Sequence, residues 1–328
     1  MVTFLPSHPG RLADVPSFAR TIGGAESNVA CALAAAGHTV KWVSRVGADG
    51  FGDHLVDAVA AYGVDTSGVL RDPDRPTGIY FRTAADRATD AHEVAYYRAG
   101  SAASAMSPAT MPYENLWSGR VLHLSGITAA LSDDCLALMR ELTARRPGRP
   151  LVSFDVNHRP ALWRDASGAR VLLDLARGAD LVFVGEDEAA EAWGLHGGDA
   201  IRAALPEPGT LVIKRGSAGA TAYTKGPEAA DTVTTVPALT VDVVASVGAG
   251  DAFAAGFLSA TLRGLPAAAR LRHGHLMAAA VLTVAADLAT PPARAHADRL
   301  AGLDATDWGT LRLGPGWTAG TEREVRVP

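Results

Sequence analysis

One stretch constrains this chain more than any other. Thr240-Val241-Asp242-Val243-Val244 is rich in β-branched residues, Gly248-Ala249-Gly250 makes a turn, and Asp251 opens a segment with Phe253, Phe257, Leu258 and Leu262 at helical spacing. The pattern predicts strand, glycine turn, helix. Free backbone N–H groups at such a helix start, uncovered where glycine has no side chain, attract an anion such as phosphate. An acidic residue there needs a reason, and two readings stand. Asp251 caps the helix, a use worth ~1 kcal/mol. Alternatively it is a general base that takes a proton from a substrate hydroxyl, while the amides of Gly248, Ala249 and Gly250 hold a phosphoryl group in transfer. The GxGxxG dinucleotide pattern fails because Phe253 stands where its last glycine belongs, and no GxxxxGK[ST] loop occurs.

Length leaves room for a large core: 328 residues allow one large domain or two. The charges, 30 basic against 35 acidic, give a net charge of −5 with no long run of one sign. That balance argues against a nucleic-acid or membrane partner. No uninterrupted apolar run reaches the ~18 residues a membrane span needs, and the N-terminus lacks a basic region followed by an apolar core. A cytoplasmic location is expected. Cys31 and Cys135 lack metal or redox spacing and read as small core residues.

Gly23 and Gly24 form a second glycine turn, feeding a helix that stops at Gly37. The glycines would let a ligand approach the backbone, and Asn28 offers a donor and an acceptor for hydroxyl groups, unless the segment is a plain loop and cap. Val40 to Val46 is a predicted strand, followed by a turn and a helix ending near Tyr62-Gly63. Pro76 to Arg82 and Glu93 to Arg98 are two short β runs around a polar turn at Asp86 to Asp90, and they interrupt an otherwise alternating pattern. They suggest a small projecting sheet.

From Val121 the order is regular. Strands at 121–125, 151–155, 181–184 and 211–214 are separated by helical segments, which implies a parallel sheet with helices on both faces. Ligands in such folds sit beyond the carboxyl ends of strands. That rule selects the stretch Asp155 to Pro160 and the stretch Gly185 to Glu188. A long helix is expected from Pro266 to about Leu288, and after Pro292 the composition gives no usable pattern.

The glycine turn at Gly248 to Asp251 resembles the GAGD signature of the ribokinase-like carbohydrate kinases of the PfkB family, and Gly23 to Gly37 resembles that family's first signature. The resemblance covers Gly23 to about Pro292. It implies an α/β ribokinase-like fold: a doubly wound, mostly parallel sheet with helices on both faces and a small β-sheet lid. One kinase domain would span residues 1–328, with lid segments near 10–20 and 70–100 and a C-terminal tail from about 302. Relatives begin with a strand and a Gly-acidic pair ahead of Met1-Val2-Thr3-Phe4-Leu5-Pro6, which reads as the end of that strand. Either the coding start lies further upstream or part of the central sheet has been lost.

Arg98 and Arg159 would point into one crevice of this fold, and two guanidiniums converge most naturally on a carboxylate, unless each pairs with a local acid. The words around Tyr96 to Ser104 and Asp155 to Trp163 resemble those of 2-keto-3-deoxygluconate kinases. The resemblance implies ATP and Mg²⁺ and an acid sugar bound by Gly24, Asn28, Tyr96, Arg98, Ile127 and Arg159, with Tyr80 a further candidate. It assigns the nucleotide to Lys214, Gly216 and Gly219 and to the neighbourhood of His275 and Ala279. The lid hints at a homo-oligomer. Three positions depart from the family: Ala245 replaces an Asp, Ser246 a Thr, and Gly185 the Asn of an NxxE motif, leaving Glu188 to organise Mg²⁺ indirectly. A neutral-sugar kinase of the fructokinase or ribokinase type, and a sugar-binding homologue without catalysis, are the rival readings.

Overall fold

In the central sheet successive residues serve opposite faces, and the burial pattern follows that alternation. Leu181, Phe183 and Val212 pack on one side, with the helices Ala25–Ala35, Ala249–Leu262 and Ala267–Leu282. Val182, Val184, Leu211 and Ile213 pack on the other, with the helices Asp133–Thr143 and Ser167–Gly178. Strands buried on both faces must be apolar throughout, which is why these segments read as continuous Val/Leu/Ile runs. The computed structural model describes residues 1–83, 93–163, 165, 167–226, 230–320 and 324–326. The turn expected at Asp86 to Asp90 lies outside them.

The six-stranded sheet runs, in spatial order, Asp231–Val236, Ala220–Lys225, Thr210–Lys214, Leu181–Gly185, Leu151–Asp155, Val121–Ser125. Its last four strands are mutually parallel, and the first two join antiparallel. This is the expected doubly wound architecture. Its consequence for function is that Ser125, Asp155, Gly185 and Lys214, the last residues of four parallel strands, lie along one edge.

A separate four-stranded sheet has the order Phe18–Ile22, Val2–Pro6, Ile79–Arg82, Val94–Tyr97. The segment Val2–Pro6 therefore belongs to the small sheet rather than to the central one: Val2 lies opposite Ile22 on one side and Ile79 on the other. Aromatic contacts favour this placement. Phe4 stacks on Phe81 with ring centroids 4.6 Å apart, and Phe18 meets the same ring edge-on. The expected strand over Val40 to Val46 is shorter, Ser44–Gly47, and pairs in parallel with Val69–Asp72 outside the six-stranded sheet.

Two further expectations are corrected. The long helix ends at Leu282, six residues early, where the Leu282 carbonyl accepts hydrogen bonds from the amides of Val244 and Ala245 just ahead of the glycine turn. The region from 302 onward is not a loose tail. Leu311–Leu313 pairs with Thr240–Val241, the strand that leads towards the glycine turn, and with Glu324–Arg326. Trp308, Leu313 and Trp317 are buried in the core that contains the helix Ala249–Leu262. The sequence around them shows no periodicity because single large side chains, rather than a continuous stripe, anchor it.

Candidate active site

The turn before the helix Ala249–Leu262 requires a glycine at its first position. Gly248 is the N-cap with φ of 83°, and a Cβ there would sit 2.4 Å from the carbonyl oxygen of Asp287. No side chain caps this helix. Its first amides are thus left for a ligand, and Asp251, in the first turn, does something other than cap.

Asp251 Oδ2 accepts a hydrogen bond of 2.8 Å from Asn28 Nδ2. Asn28 sits in the first turn of the helix Ala25–Ala35, whose N-cap Gly24 has φ of 139°, so both sequence signatures meet at one carboxylate. Protein surrounds Asp251 on all sides, yet it keeps some exposure into a cavity of about 1100 Å³. Burial pushes its carboxyl up to about 7, opposed by the Asn28 hydrogen bond and by Lys214, and reinforced by Asp155 and Glu26. A carboxylate poised near neutral pH suits a general base.

Lys214 is not the ordinary exposed strand-end lysine. Its side chain is 19% exposed, and Nζ donates to both oxygens of Asp155, at 3.0 and 3.1 Å. Burial alone would pull the ammonium pKa down, but the attraction of Asp155 above all, then of Glu188 and Asp251, holds it above its usual value. The His123 imidazole below is pushed down to about 4, by burial and then by the Lys214 charge.

Elsewhere along the cavity Arg98 lies over the Tyr96 ring, 4.2 Å from its centroid, and its buried Nε has no hydrogen-bond partner among the described residues. Arg159 is 53% exposed; Nη1 donates to the His158 carbonyl and stands 3.7 Å from Glu188. Neither guanidinium is tightly paired with an acid among the described residues. The buried Oδ1 of Asn28 likewise has no partner, so the residue that orients Asp251 retains an acceptor for a hydroxyl group.

Of the residues predicted from sequence, Gly24, Asn28, Tyr96, Arg98, Ile127, Arg159, Glu188, Lys214, Gly248, Gly250 and Asp251 line this one cavity. Ala249 is the first residue of the adjoining helix. Gly216 and Gly219 lie outside it, in the turn after Thr210–Lys214. His275 and Ala279 do not line the cavity. Both are buried on the helix Ala267–Leu282, His275 against the Phe253 ring, so their side chains face the core rather than an open nucleotide site. Tyr80, the further candidate, also lines the cavity; its hydroxyl donates to Asp287, which is paired as well with Arg82 Nη2 at 2.7 Å.

Several lining residues were given no role from sequence: Glu26, Asp155, Asn157 and Asp287. Glu26 accepts a hydrogen bond from Thr128. Asn157 is the only described residue other than glycine with positive φ, 42°, and its Oδ1 is buried without a partner. The strand-end rule had already singled out the stretch holding Asp155 and Asn157. Asp287 had no local signal, because its partners lie 205 and 207 residues away.

The fold and the cavity define a sugar-phosphorylating enzyme: an open helix N-terminus, a carboxylate poised as a base, and a lysine beside them at the strand ends. Residues 2–294 match the model of the pfkB family carbohydrate kinases, and the chain belongs to that family. It is 34% identical to a 2-dehydro-3-deoxygluconokinase of Bacillus subtilis (strain 168) over 90% of each chain. It is 33% identical to a 2-dehydro-3-deoxygluconokinase of Thermoproteus tenax over 89% of each. The crystal structure of a PfkB protein from Polaromonas sp. JS666, 34% identical, superposes with a TM-score of 0.78, covering 91% of this chain and 96% of that one. The chain is thus an ATP-dependent carbohydrate kinase. No helix among the described residues is long and apolar enough to cross a membrane.

Proposed function

We propose that this kinase phosphorylates the terminal hydroxyl of 2-keto-3-deoxygluconate (2-dehydro-3-deoxygluconate) or a close acid sugar. The observation that carries the reading is the pair Arg98 and Arg159, two guanidiniums without a tight acidic partner among the described residues, in the cavity that also holds Asp251. A neutral sugar would leave both charges unsatisfied, whereas a carboxylate accepts from both. The two 2-dehydro-3-deoxygluconokinases similar to this chain support the same substrate.

In the transfer, the sugar hydroxyl oxygen attacks the γ-phosphorus, its proton passes to Asp251, and the bond from phosphorus to the bridging oxygen breaks with its electron pair leaving on ADP. Asn28 fixes the Asp251 carboxylate by its 2.8 Å hydrogen bond. The amides at Gly248 to Gly250 and the Lys214 ammonium face the group whose charge must be held, so catalysis is mostly positioning and electrostatic stabilisation. Among the described residues no group of three or more His, Cys, Asp or Glu side chains could hold a metal ion by itself. That fits Mg²⁺, which keeps several waters and takes phosphate oxygens as ligands. Glu188 is the nearest candidate to organise those waters, although its Oε2 already accepts from the Gly185 amide. The ion would supply neutralisation of phosphate charge.

The test is ADP release by purified protein with ATP, Mg²⁺ and 2-keto-3-deoxygluconate, with fructose and ribose alongside. Turnover confined to the acid sugar is expected. Equal or better turnover with fructose would overturn the acid-sugar reading in favour of a neutral-sugar kinase.

A further inference from the structure

We propose that Asp155 is a positioning residue for phosphoryl transfer: it holds Lys214 at the mouth of the glycine turn so that one ammonium N–H remains for an oxygen of the transferring phosphate. The inference rests on the reading of Asp251 as the base and goes beyond it, because that reading gives Asp155 no part.

Asp155 and Lys214 end two parallel strands of the central sheet, and the strand between them ends at Gly185, which carries no side chain and lies opposite Lys214. Nζ bonds both Asp155 oxygens, at 3.0 and 3.1 Å, and the carboxylate is only 3% exposed. A carboxylate so buried persists because the lysine pairs with it, and the lysine cannot swing freely because the carboxylate grips it from one side. An ammonium has three donors. With two engaged on Asp155, the third has no partner among the described residues, and a Cβ on Gly250 would lie 3.6 Å from Nζ, which places the ammonium against the amides that would receive the phosphate. Asp155 thereby fixes where the positive charge stands before the nucleotide arrives, which is the condition for electrostatic catalysis without reorganisation.

The arrangement also places one charge of each sign near the base. Asp251 is faced by Asp155 and Glu26, which favour its protonated form, and by Lys214, which favours the carboxylate. Lys214 is faced in turn by Asp155, Glu188 and Asp251, with His123 close by. Removing Asp155 and removing Lys214 must therefore move the titration of Asp251 in opposite directions, which a mere loss of packing would not do.

The experiment compares Asp155→Asn, Lys214→Met and the double variant by steady-state kinetics across pH, with ATP, Mg²⁺ and the acid sugar. Asp155→Asn is expected to lower kcat by about 10-fold or more, in line with the loss of one preorganised electrostatic contact. The KM for the sugar should change little, and the acidic limb of kcat/KM should move to lower pH. Lys214→Met should move that limb to higher pH. In the double variant kcat should match that of Lys214→Met alone, since Asp155 acts through the lysine. Asp155→Glu should recover part of the lost kcat. If a single variant does not fold, the double variant, which leaves no buried charge unpaired, still decides: a kcat well below that of an active Lys214→Met, or an acidic limb unmoved in Asp155→Asn, overturns the proposal. Asp251→Asn separates the two readings. If it retains turnover, the assignment of the base fails; if it is inactive while Asp155→Asn behaves as wild type, only the role of Asp155 fails.

Discussion

The two ends of the cavity treat positive charge in opposite ways. At the phosphoryl end Lys214 is locked by two hydrogen bonds to Asp155 and is largely shielded from water. At the sugar end Arg98 has a buried Nε without a partner, and Arg159 is half-exposed with only a 3.7 Å approach to Glu188. A group that must stabilise a transition state benefits from being fixed beforehand. A group that recognises a ligand by charge must be left unsatisfied until the ligand comes, since a pre-paired arginine would have to break one ion pair to make another. On the proposed reading, the contrast separates a catalytic half of the site from a selective one.

The sharpest way to break this division is at the base. Asp251→Asn is expected to lower kcat by roughly 10²- to 10⁴-fold, the range for a positioned general base, with the KM for the sugar little changed; single-turnover phosphorylation would check it. Next in size, Arg98→Ala and Arg159→Ala should each reduce kcat/KM for the acid sugar by about 10- to 100-fold, as expected for a lost charge-assisted hydrogen bond, and leave turnover of ATP with a neutral sugar unchanged. Equal losses for acid and neutral sugars would mean that the arginines serve the fold and not selection. Smaller again is the pH effect. With Asp251 poised at about 7, kcat/KM should fall as pH drops below that value, and the limb should vanish in Asp251→Asn. A rate that stays flat down to pH 5 would remove Asp251 from the role of base.

Part of this division was legible before any coordinates. Gly248, Gly250 and Asp251 announce themselves because turn glycines and a following helical stripe are local patterns, and the strands from Val121 onward because continuous apolar runs are too. Arg98 and Arg159 were reached through resemblance together with the strand-end rule. What stayed hidden depends on partners distant in the chain. Asp155 gains its role only from Lys214, 59 residues on, and Asp287 only from Tyr80 and Arg82. The placement of Val2–Pro6 turned on Phe81 and Ile79, which no window around residue 4 contains. The orientation of His275 was hidden for the same reason: it lies on a helix beside the glycine turn, and packing on Phe253 turns its ring inward.

A last effect tests the poised carboxylate through stability rather than rate. Burial raises the folded-state pKa of Asp251 to about 7, above the 3.8 of an unperturbed carboxyl. Between those values the folded chain keeps a proton that the unfolded chain has lost, so stability falls as pH rises through that window and stays reduced above it. Asn at this position carries no charge at any pH, and its amide oxygen still accepts from Asn28. Asp251→Asn should therefore be more stable than the wild type at pH 8, by up to a few kcal/mol, and the difference should shrink towards pH 5. The arginine variants should show no such pH-dependent gain, because they leave the Asp251 carboxyl in place. Thermal melts of the three proteins at the two pH values provide the comparison. An Asp251→Asn protein that melts with the wild type at both pH values would mean that the carboxylate is well solvated, and the catalytic end would then be no more preorganised than the sugar end.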